Sequence, residues 1–484
     1  MVAETFDLTL LKPILPEIGL VVLAALLLIY DLAWRGTSKR ILGWVTFVGM
    51  ILIAVVSFFY AMPGAQSQEI FGGMLRLDWA TFTFRLIFLF GAAATALFAM
   101  DSPKLGERGE FYMLLVITTL GMSLMAGASD LIMIYLAIET TTIPLYVLAG
   151  FFVRSEKSTE AGLKYLLYGA ISSAVMLYGF SLIYGFTGGN TNIYTIAQAV
   201  SGGQLSPILS IGLFMLVLVG LAFKVTIVPM QFWAPDVYEG APTPVAGFLS
   251  TASKAAGFVV MMRLIVNVFN ASTTDWQIIL AVLATLTMVL GNVLALTQKN
   301  IKRLLAYSSI AQAGYILIGV ASASALGFAG TVYYLITYLV TNLAAFGVVA
   351  VVGKASGSDE LSAYNGLSRR APGLALVLSV ALLSLGGIPP FGGFAGKLFV
   401  FASAMGIKLY WLAFVGILNS IIGLYYYLIV LKIVYSHPSP EGAPTESLTA
   451  PWAIALGLCV VGILALGIYL PLLETSYQAI MALF

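Results

Sequence analysis

Four ionisable residues, Glu139, Lys224, Lys254 and Lys397, sit inside stretches that are otherwise apolar. At a helix centre each costs about 2.5–3.5 kcal/mol to insert into a bilayer, so four cost on the order of 10 kcal/mol before any pairing. That is comparable to the whole net stability of a folded protein. A salt bridge that fixes helix packing would account for Glu139 and one lysine, but a single acid cannot neutralise three cations. The set suits proton transfer. Burial weakens a lysine's hold on its proton, and a nearby carboxylate strengthens it again. Moving one proton against ~180 mV takes about 4 kcal/mol, roughly a thousandfold change in proton affinity. Pairing and unpairing a buried Lys with a Glu is of that size, so Glu139 is expected to modulate Lys224. One acid beside three lysines makes a poor cation cage, which would need several carboxylates or carbonyls. No metal site is expected.

These residues require a membrane-spanning scaffold. The chain has 484 residues, 60% apolar and 9% charged, against roughly 25% charged in soluble chains, which excludes a soluble fold. The expected fold is all-α: a polytopic membrane protein of about fourteen spans, starting near residues 13, 39, 79, 110, 129, 159, 207, 241, 275, 301, 324, 372, 408 and 450. No alternating ten-residue segments suggest a β-barrel. One cysteine, Cys459, and one histidine, His437, exclude a disulfide framework and a Cys/His metal cluster, and argue against iron–sulfur and haem centres. A net charge of +2 gives no field for nucleic acid. Without a phosphate-binding loop or a dinucleotide fingerprint, energy for pumping must come from an ion gradient or from partner subunits.

The N-terminus is acidic where a signal peptide would be basic, so the first span is expected to persist in the mature protein. Most of the 23 cations fall in loops after odd-numbered spans, among them Arg35, Lys39, Arg40, Lys104, Arg108, Arg154, Lys157, Lys354, Arg369 and Arg370. The positive-inside rule makes that side cytoplasmic and puts both termini outside. Arg263 belongs with the few cations of the other side, and Arg85 lies just inside the third span. The seventh loop carries Asp236 and Glu239 and no cation.

The lysine-bearing spans are irregular. Lys224 precedes Pro229 by five residues in span seven, and Lys397 follows the Gly386–Gly393 segment GGIPPFGG of span twelve. Broken backbone at membrane depth is tolerated only where protein or a water-filled cavity satisfies it, and a matched pair of such helices points to an inverted-repeat transporter. The interval from Lys224 to Lys397 nearly equals that between the starts of spans four and nine, and an odd number of spans per repeat forces inverted topology. The expected division is a three-span segment (1–109), two five-span repeats (110–270 and 271–436) and a C-terminal helix (437–484). Span eight places Lys254 roughly 18 Å from its start at ~1.5 Å per residue. Ser250, Ser253, Ala255 and Gly257 around it permit close helix approach and offer hydroxyls to an ammonium or to water.

WAPDVYEGAPTPVAGFLSTASKAAGF (233–258), QKNIKRLLAYSSIAQAGYILIG (298–319) and LSLGGIPPFGGFAGK (383–397) resemble signature segments of the antiporter-like subunits of proton-pumping NADH:quinone oxidoreductase, respiratory complex I. Fourteen spans, the YEGAPTPV segment and a lysine in broken span twelve are most similar to the N type. The resemblance implies that Glu139, Lys224, Lys254 and Lys397 carry protons through water from the cytoplasm to the outside of a bacterial inner membrane. Lys164 matches a further family lysine, though it reads equally as a snorkelling interfacial lysine. Gln231 stands where many relatives have a histidine, and glutamine orients water but takes up no proton near neutral pH. The resemblance further implies K-type and M-type membrane-arm neighbours, and no cofactor in this chain. NADH, flavin, iron–sulfur clusters and quinone would sit on partner subunits. An Mrp-type cation/proton antiporter subunit shares these motifs, and a structural spacer subunit is the remaining alternative.

Overall fold

The computed structural model describes residues 8–34, 39–64, 67–102, 104–269, 273–439 and 447–481. The acidic N-terminal residues 1–7 and the loop cation Arg35 lie outside them. The first three spans are α1 (Leu15–Ala33, entered through a 3-10 turn), α2 (Arg40–Tyr60) and α3 (Trp79–Met100). There follow α4 (Gly109–Gly127), α5 (Leu131–Ala149), α6 (Glu156–Phe186), the short α7 (Ile193–Ser201), and α8 (Pro207–Val225) with α9 (Trp233–Gly240). Next come α10 (Thr243–Ser250), α11 (Ala252–Asn267), α12 (Thr273–Ala295), α13 (Ile301–Ala321) and α14 (Ala325–Ser356). The chain closes with α15 (Leu367–Arg370), α16 (Pro372–Gly386), α17 (Gly392–Gly406), α18 (Tyr410–Ser436), α19 (Ala450–Ile468) and α20 (Leu472–Met481).

Thirteen helical segments among the described residues are long and apolar enough to cross a membrane. The expected twelfth span is missing from that set because its break divides it between α16 and α17. Local chemistry sets the ends. Asp78, Asp130, Asn300 and Ser324 accept hydrogen bonds from the first free amides of α3, α5, α13 and α14, and proline opens α8, α16 and α19, where its missing N–H costs nothing. The helix lengths repeat. Two helices of 19 residues and one of 31 (α4, α5, α6) precede the broken α8/α9, and helices of 23, 21 and 32 residues (α12, α13, α14) precede the broken α16/α17. The α10/α11 pair, α13 and α14 are buried on nearly every side, whereas α1, α2 and α18 turn most of their surface outward.

Loops of the two parities stay apart. A hairpin of β1 (Gln68–Ile70) and β2 (Leu75–Leu77), absent from the sequence expectation, bridges to Ala128, and Asp130 bridges to Asn192 before α7. All of these follow even-numbered spans. On the other face Arg40 pairs with Asp101 at 2.8 Å and Asn300 bridges to Glu360.

The structure corrects the expectation of only four deeply buried charges. Arg263, assigned by sequence to a loop side, is fully buried and donates to Asp78 at 2.8 Å, to Thr81 at 2.9 Å and to the Ala126 carbonyl at 2.7 Å. Arg85 is also buried, 2.9 Å from Glu17, whose carboxylate accepts from Ser123. These ions pair across α1, α3, α4 and α11, so their role is to join helices. Removing one partner of such a pair strands the other, at about 3–5 kcal/mol. Asp78→Ala is therefore expected to lower stability by that amount. Thermal unfolding of the detergent-solubilised protein checks this, and an unchanged midpoint would refute it.

Candidate functional site

Lys224 lies on the last turn of α8, where Thr226 adopts a left-handed conformation (φ 61°) and the helix stops. The chain then bends through 227–232 into α9, with a cis peptide before Pro229. Gly257 of α11 makes room for the side chain, since a Cβ there would lie 3.0 Å from Lys224 Cγ and 2.5 Å from Val225 Cγ1. The ammonium, 4% exposed, donates to Thr142 Oγ1 of α5 at 2.8 Å. Glu139, one turn earlier on α5, accepts from Ser173 of α6. The expected pair is thus not in contact: no oxygen of Glu139 lies within ion-pair distance of Lys224 among the described residues. Both line one small cavity with Tyr146, Ser173 and Gly220, wide enough for about one water molecule. Influence of Glu139 on Lys224 must act across this gap.

Lys254 sits in a second interruption that the sequence reading treated as continuous helix. Span eight breaks between α10 and α11 at Thr251 (φ −121°, ψ −83°), and the Ser250 and Thr251 hydroxyls donate to the Gly247 carbonyl at 2.7 and 2.8 Å. Lys254, 1% exposed, donates to Ser309 of α13 at both the carbonyl (2.8 Å) and Oγ (2.6 Å). Ser309 Oγ also accepts from Tyr338 at 2.8 Å. Asn342 then links the Tyr338 hydroxyl (3.1 Å) to Ser250 Oγ (2.6 Å). Ser250 therefore reaches the ammonium through α14, not directly.

Lys397 lies on α17 below the break, where Gly387 (φ 82°) ends α16 and the Pro389–Pro390 peptide is cis. It donates to the Leu385 carbonyl and to Ser420 Oγ, each at 2.8 Å, and stands 4.7 Å from the centre of the Tyr315 ring. Gln312 of α13 donates to the same Leu385 carbonyl at 3.0 Å and to the Tyr427 hydroxyl at 3.3 Å. Tyr427 also bonds Ser308 at 2.5 Å, and Tyr334 donates to Gln312 Oε1 at 2.5 Å. One helix, α13, thus holds Lys254 directly and meets Lys397 through the Tyr315 ring and through the Leu385 carbonyl that Gln312 shares. Sequence reasoning quoted this segment without assigning its polar residues. The signal was present: Ser308, Gln312 and Tyr315 recur at the spacing of one helix face within an apolar span.

Lys164 lies apart from this line. Near the start of α6 it is 2.5 Å from Asp236 and 2.6 Å from Glu160. Arg303 reaches Asp236 (2.7 Å) and Glu239 (3.1 Å), and Lys157 reaches Glu239 at 2.8 Å. The acids of the seventh loop are therefore counterions for cations near the starts of α6 and α13. Burial alone would raise the carboxyl of Asp236, but hydrogen bonds from Lys164 and Arg303 outweigh it and hold the group below its ordinary value of 3.8. Glu239 is lowered in the same way, against burial, by Lys157 and Arg303. Gln231 is buried in the bend after α8, and its Oε1 has no hydrogen-bond partner among the described residues. No group of three His, Cys, Asp or Glu side chains among those residues could hold a metal ion.

Residues 128–423 match the family described as NADH:quinone oxidoreductase/Mrp antiporter, transmembrane. NADH-quinone oxidoreductase subunit N of Trichlorobacter lovleyi is 42% identical over 99% of both chains. Among solved structures, a chain of respiratory complex I from Thermus thermophilus with bound aureothin superposes with a TM-score of 0.81 at 32% identity, covering 95% of this chain and 98% of that one. A chain of the Mrp complex from Dietzia sp. superposes at 0.83 over 99% and 100%, but at 21% identity, a likeness of fold alone.

The ionic cluster around Asp236 carries a pH expectation. A carboxyl whose value is lowered by folding stabilises the folded form above its unfolded value and loses that contribution as pH falls through the lowered one. The clamp between α6, α9 and α13 should therefore hold unchanged above about 4.5, the ordinary value for Glu239, and loosen only in stronger acid. Hydrogen exchange of residues 233–240 across an acid titration checks this, with Asp236→Asn expected to raise exchange already at neutral pH. Protection that fades between neutrality and pH 5 in the unaltered protein would contradict it.

Proposed function

The chain belongs to the NADH:quinone oxidoreductase/Mrp antiporter family and, within it, to the N subunits of proton-translocating NADH:quinone oxidoreductase, and on that footing we propose that it translocates protons through Glu139, Lys224, Lys254 and Lys397. The observation that carries this reading is the solvation of the three lysines. Each is buried, none has a carboxylate within ion-pair distance among the described residues, and each is held by neutral oxygens: Thr142, Ser309, and the Leu385 carbonyl with Ser420. No fixed carboxylate therefore claims any of the three ammonium groups, and each is left to neutral groups that water can join. Glu139 supplies a negative charge across a water-sized gap from Lys224. Water in that gap would complete the route from carboxylate to ammonium.

From Lys254 onward, Ser309, Tyr338, Ser308, Tyr427 and Gln312 offer hydroxyl and amide groups along α13 towards Lys397. Gln312 contributes orientation alone, because an amide does not exchange its proton readily. The unpartnered Oε1 of Gln231 suits a water that donates to it at the bend after α8. Protons would be taken up from the cytoplasm and released outside, at the expense of quinone reduction on other subunits. This chain would hold no redox centre of its own, with NADH, flavin, iron–sulfur clusters and quinone bound by its partners.

Glu139 is only half-buried in the isolated chain at membrane depth. An ionisable group facing lipid is costly, so a neighbouring membrane-arm subunit, K-type or M-type, would cover this face of α5 and α6. The spread of cations supports an inner-membrane location with both termini outside. Lys164 would serve the cytoplasmic ionic cluster rather than the buried line. The Mrp alternative rests on the shared family description and a likeness of fold, whereas the N-subunit match, at 42% identity, spans nearly the whole chain.

Lys224→Ala is expected to abolish proton pumping by the intact complex in reconstituted vesicles without loss of assembly. Normal pumping by that variant would make the chain a structural spacer. Glu139→Gln is expected to cause a large loss through the altered behaviour of Lys224, and unchanged pumping would overturn the proposed modulation.

A further inference from the structure

A groove of about 1010 Å³ opens on the face where the odd-numbered loops gather, between the 104–110 segment, the 150–155 turn, the start of α10 and the end of α14. Lys104, Arg108, Arg154 and Lys354 line it. Its two acids already have cationic partners: Glu110 stands 3.7 Å from Arg108, and Asp359 stands 3.6 Å from Lys302. Lys104, Arg154 and Lys354 have no carboxylate within 4 Å among the described residues, and the Lys354 ammonium rests instead 4.9 Å from the centre of the Trp452 ring. Three cations, one from the loop after α3, one from the turn after α5 and one from the last turn of α14, thus line one concavity without counterions among the described residues. Such a set recognises a phosphate group.

The groove also has an apolar lip. Val147, on the last turn of α5, is 51% exposed and Val153, just beyond it, is 81% exposed, with Phe151 beside them. A free phosphate makes no use of that lip, whereas a phospholipid uses both parts. We propose that the groove binds the headgroup phosphate of an anionic phospholipid, whose acyl chains pass Val147 and Val153 into the bilayer. The charge of the loops places the groove on the cytoplasmic face, where anionic lipid is concentrated and attracts juxtamembrane cations. Each such cation favours the anionic lipid by about fivefold, so the three together give about a hundredfold.

The test uses the intact complex in phosphatidylethanolamine vesicles containing photoactivatable phosphatidylglycerol. Label is expected in peptides covering 102–110 and 150–155. It should fall about a hundredfold when Lys104→Ser, Arg154→Ser and Lys354→Ser are combined, and stay unchanged in Lys432→Ser, which alters a cation outside the groove. If the triple variant does not assemble, Arg154→Ser alone is expected to lower labelling about fivefold. Label spread evenly over the loops, or insensitive to these substitutions, overturns the proposal. Displacement by inorganic phosphate as effective as that by unlabelled phosphatidylglycerol would make the site one for free phosphate and overturn the lipid. A photoreactive residue at position 155 that captures a partner polypeptide, with no lipid label in the groove, would overturn it as well.

Discussion

The need to solvate a lysine that has no counterion governs the rest of this structure. In hydrocarbon an ammonium must be surrounded by oxygens, and a regular helix uses its carbonyls for its own amides. The fold meets this need in two ways. At Lys397 the broken α16 exposes the Leu385 carbonyl, and at Lys224 and Lys254 hydroxyls from facing helices take part. The interruption in span twelve, the polar face of α13 and the glycine that admits Lys224 all serve that requirement.

The permanent ion pairs stand in contrast. Arg263 with Asp78 and Arg85 with Glu17 are buried as completely as the lysines, yet each has a carboxylate at 2.8–2.9 Å. Arginine cannot release its proton in a protein, so these pairs hold α1, α3, α4 and α11 together without exchanging charge. Depth alone does not separate the proposed proton carriers from the clamps. The separating features are residue type and the presence of a carboxylate.

Much of this was legible from the residues. Apolar length and bounding charge located the thirteen helices long enough to cross a membrane among the described residues, because a bilayer leaves the chain few alternatives, and Gly386–Gly393 announced the break that divides the remaining expected span. The interruption at Thr251 was not legible. Neither glycine nor proline marks it, and it depends on hydroxyls returning to the Gly247 carbonyl. Arg263 was misplaced because its counterion, Asp78, is remote in sequence. The separation of Glu139 from Lys224 was equally hidden, since sequence puts both in the membrane interior but cannot show that Thr142 and Ser173 intervene. The hairpin 68–77 and α7 escaped because both are far shorter than a membrane span and lie in the loops between spans.

The placement of Ser309 and Gln312 on one unbroken helix has a mechanical reading. Ser309 holds Lys254 directly, and Gln312 shares with Lys397 the carbonyl of Leu385. A rigid rod that carries both contacts cannot turn or slide at one end alone, so α13 acts as a tie-bar. A shift of α13 would therefore bear on both lysines, on Lys254 directly and on Lys397 by way of the Leu385 carbonyl, through side chains that carry no charge.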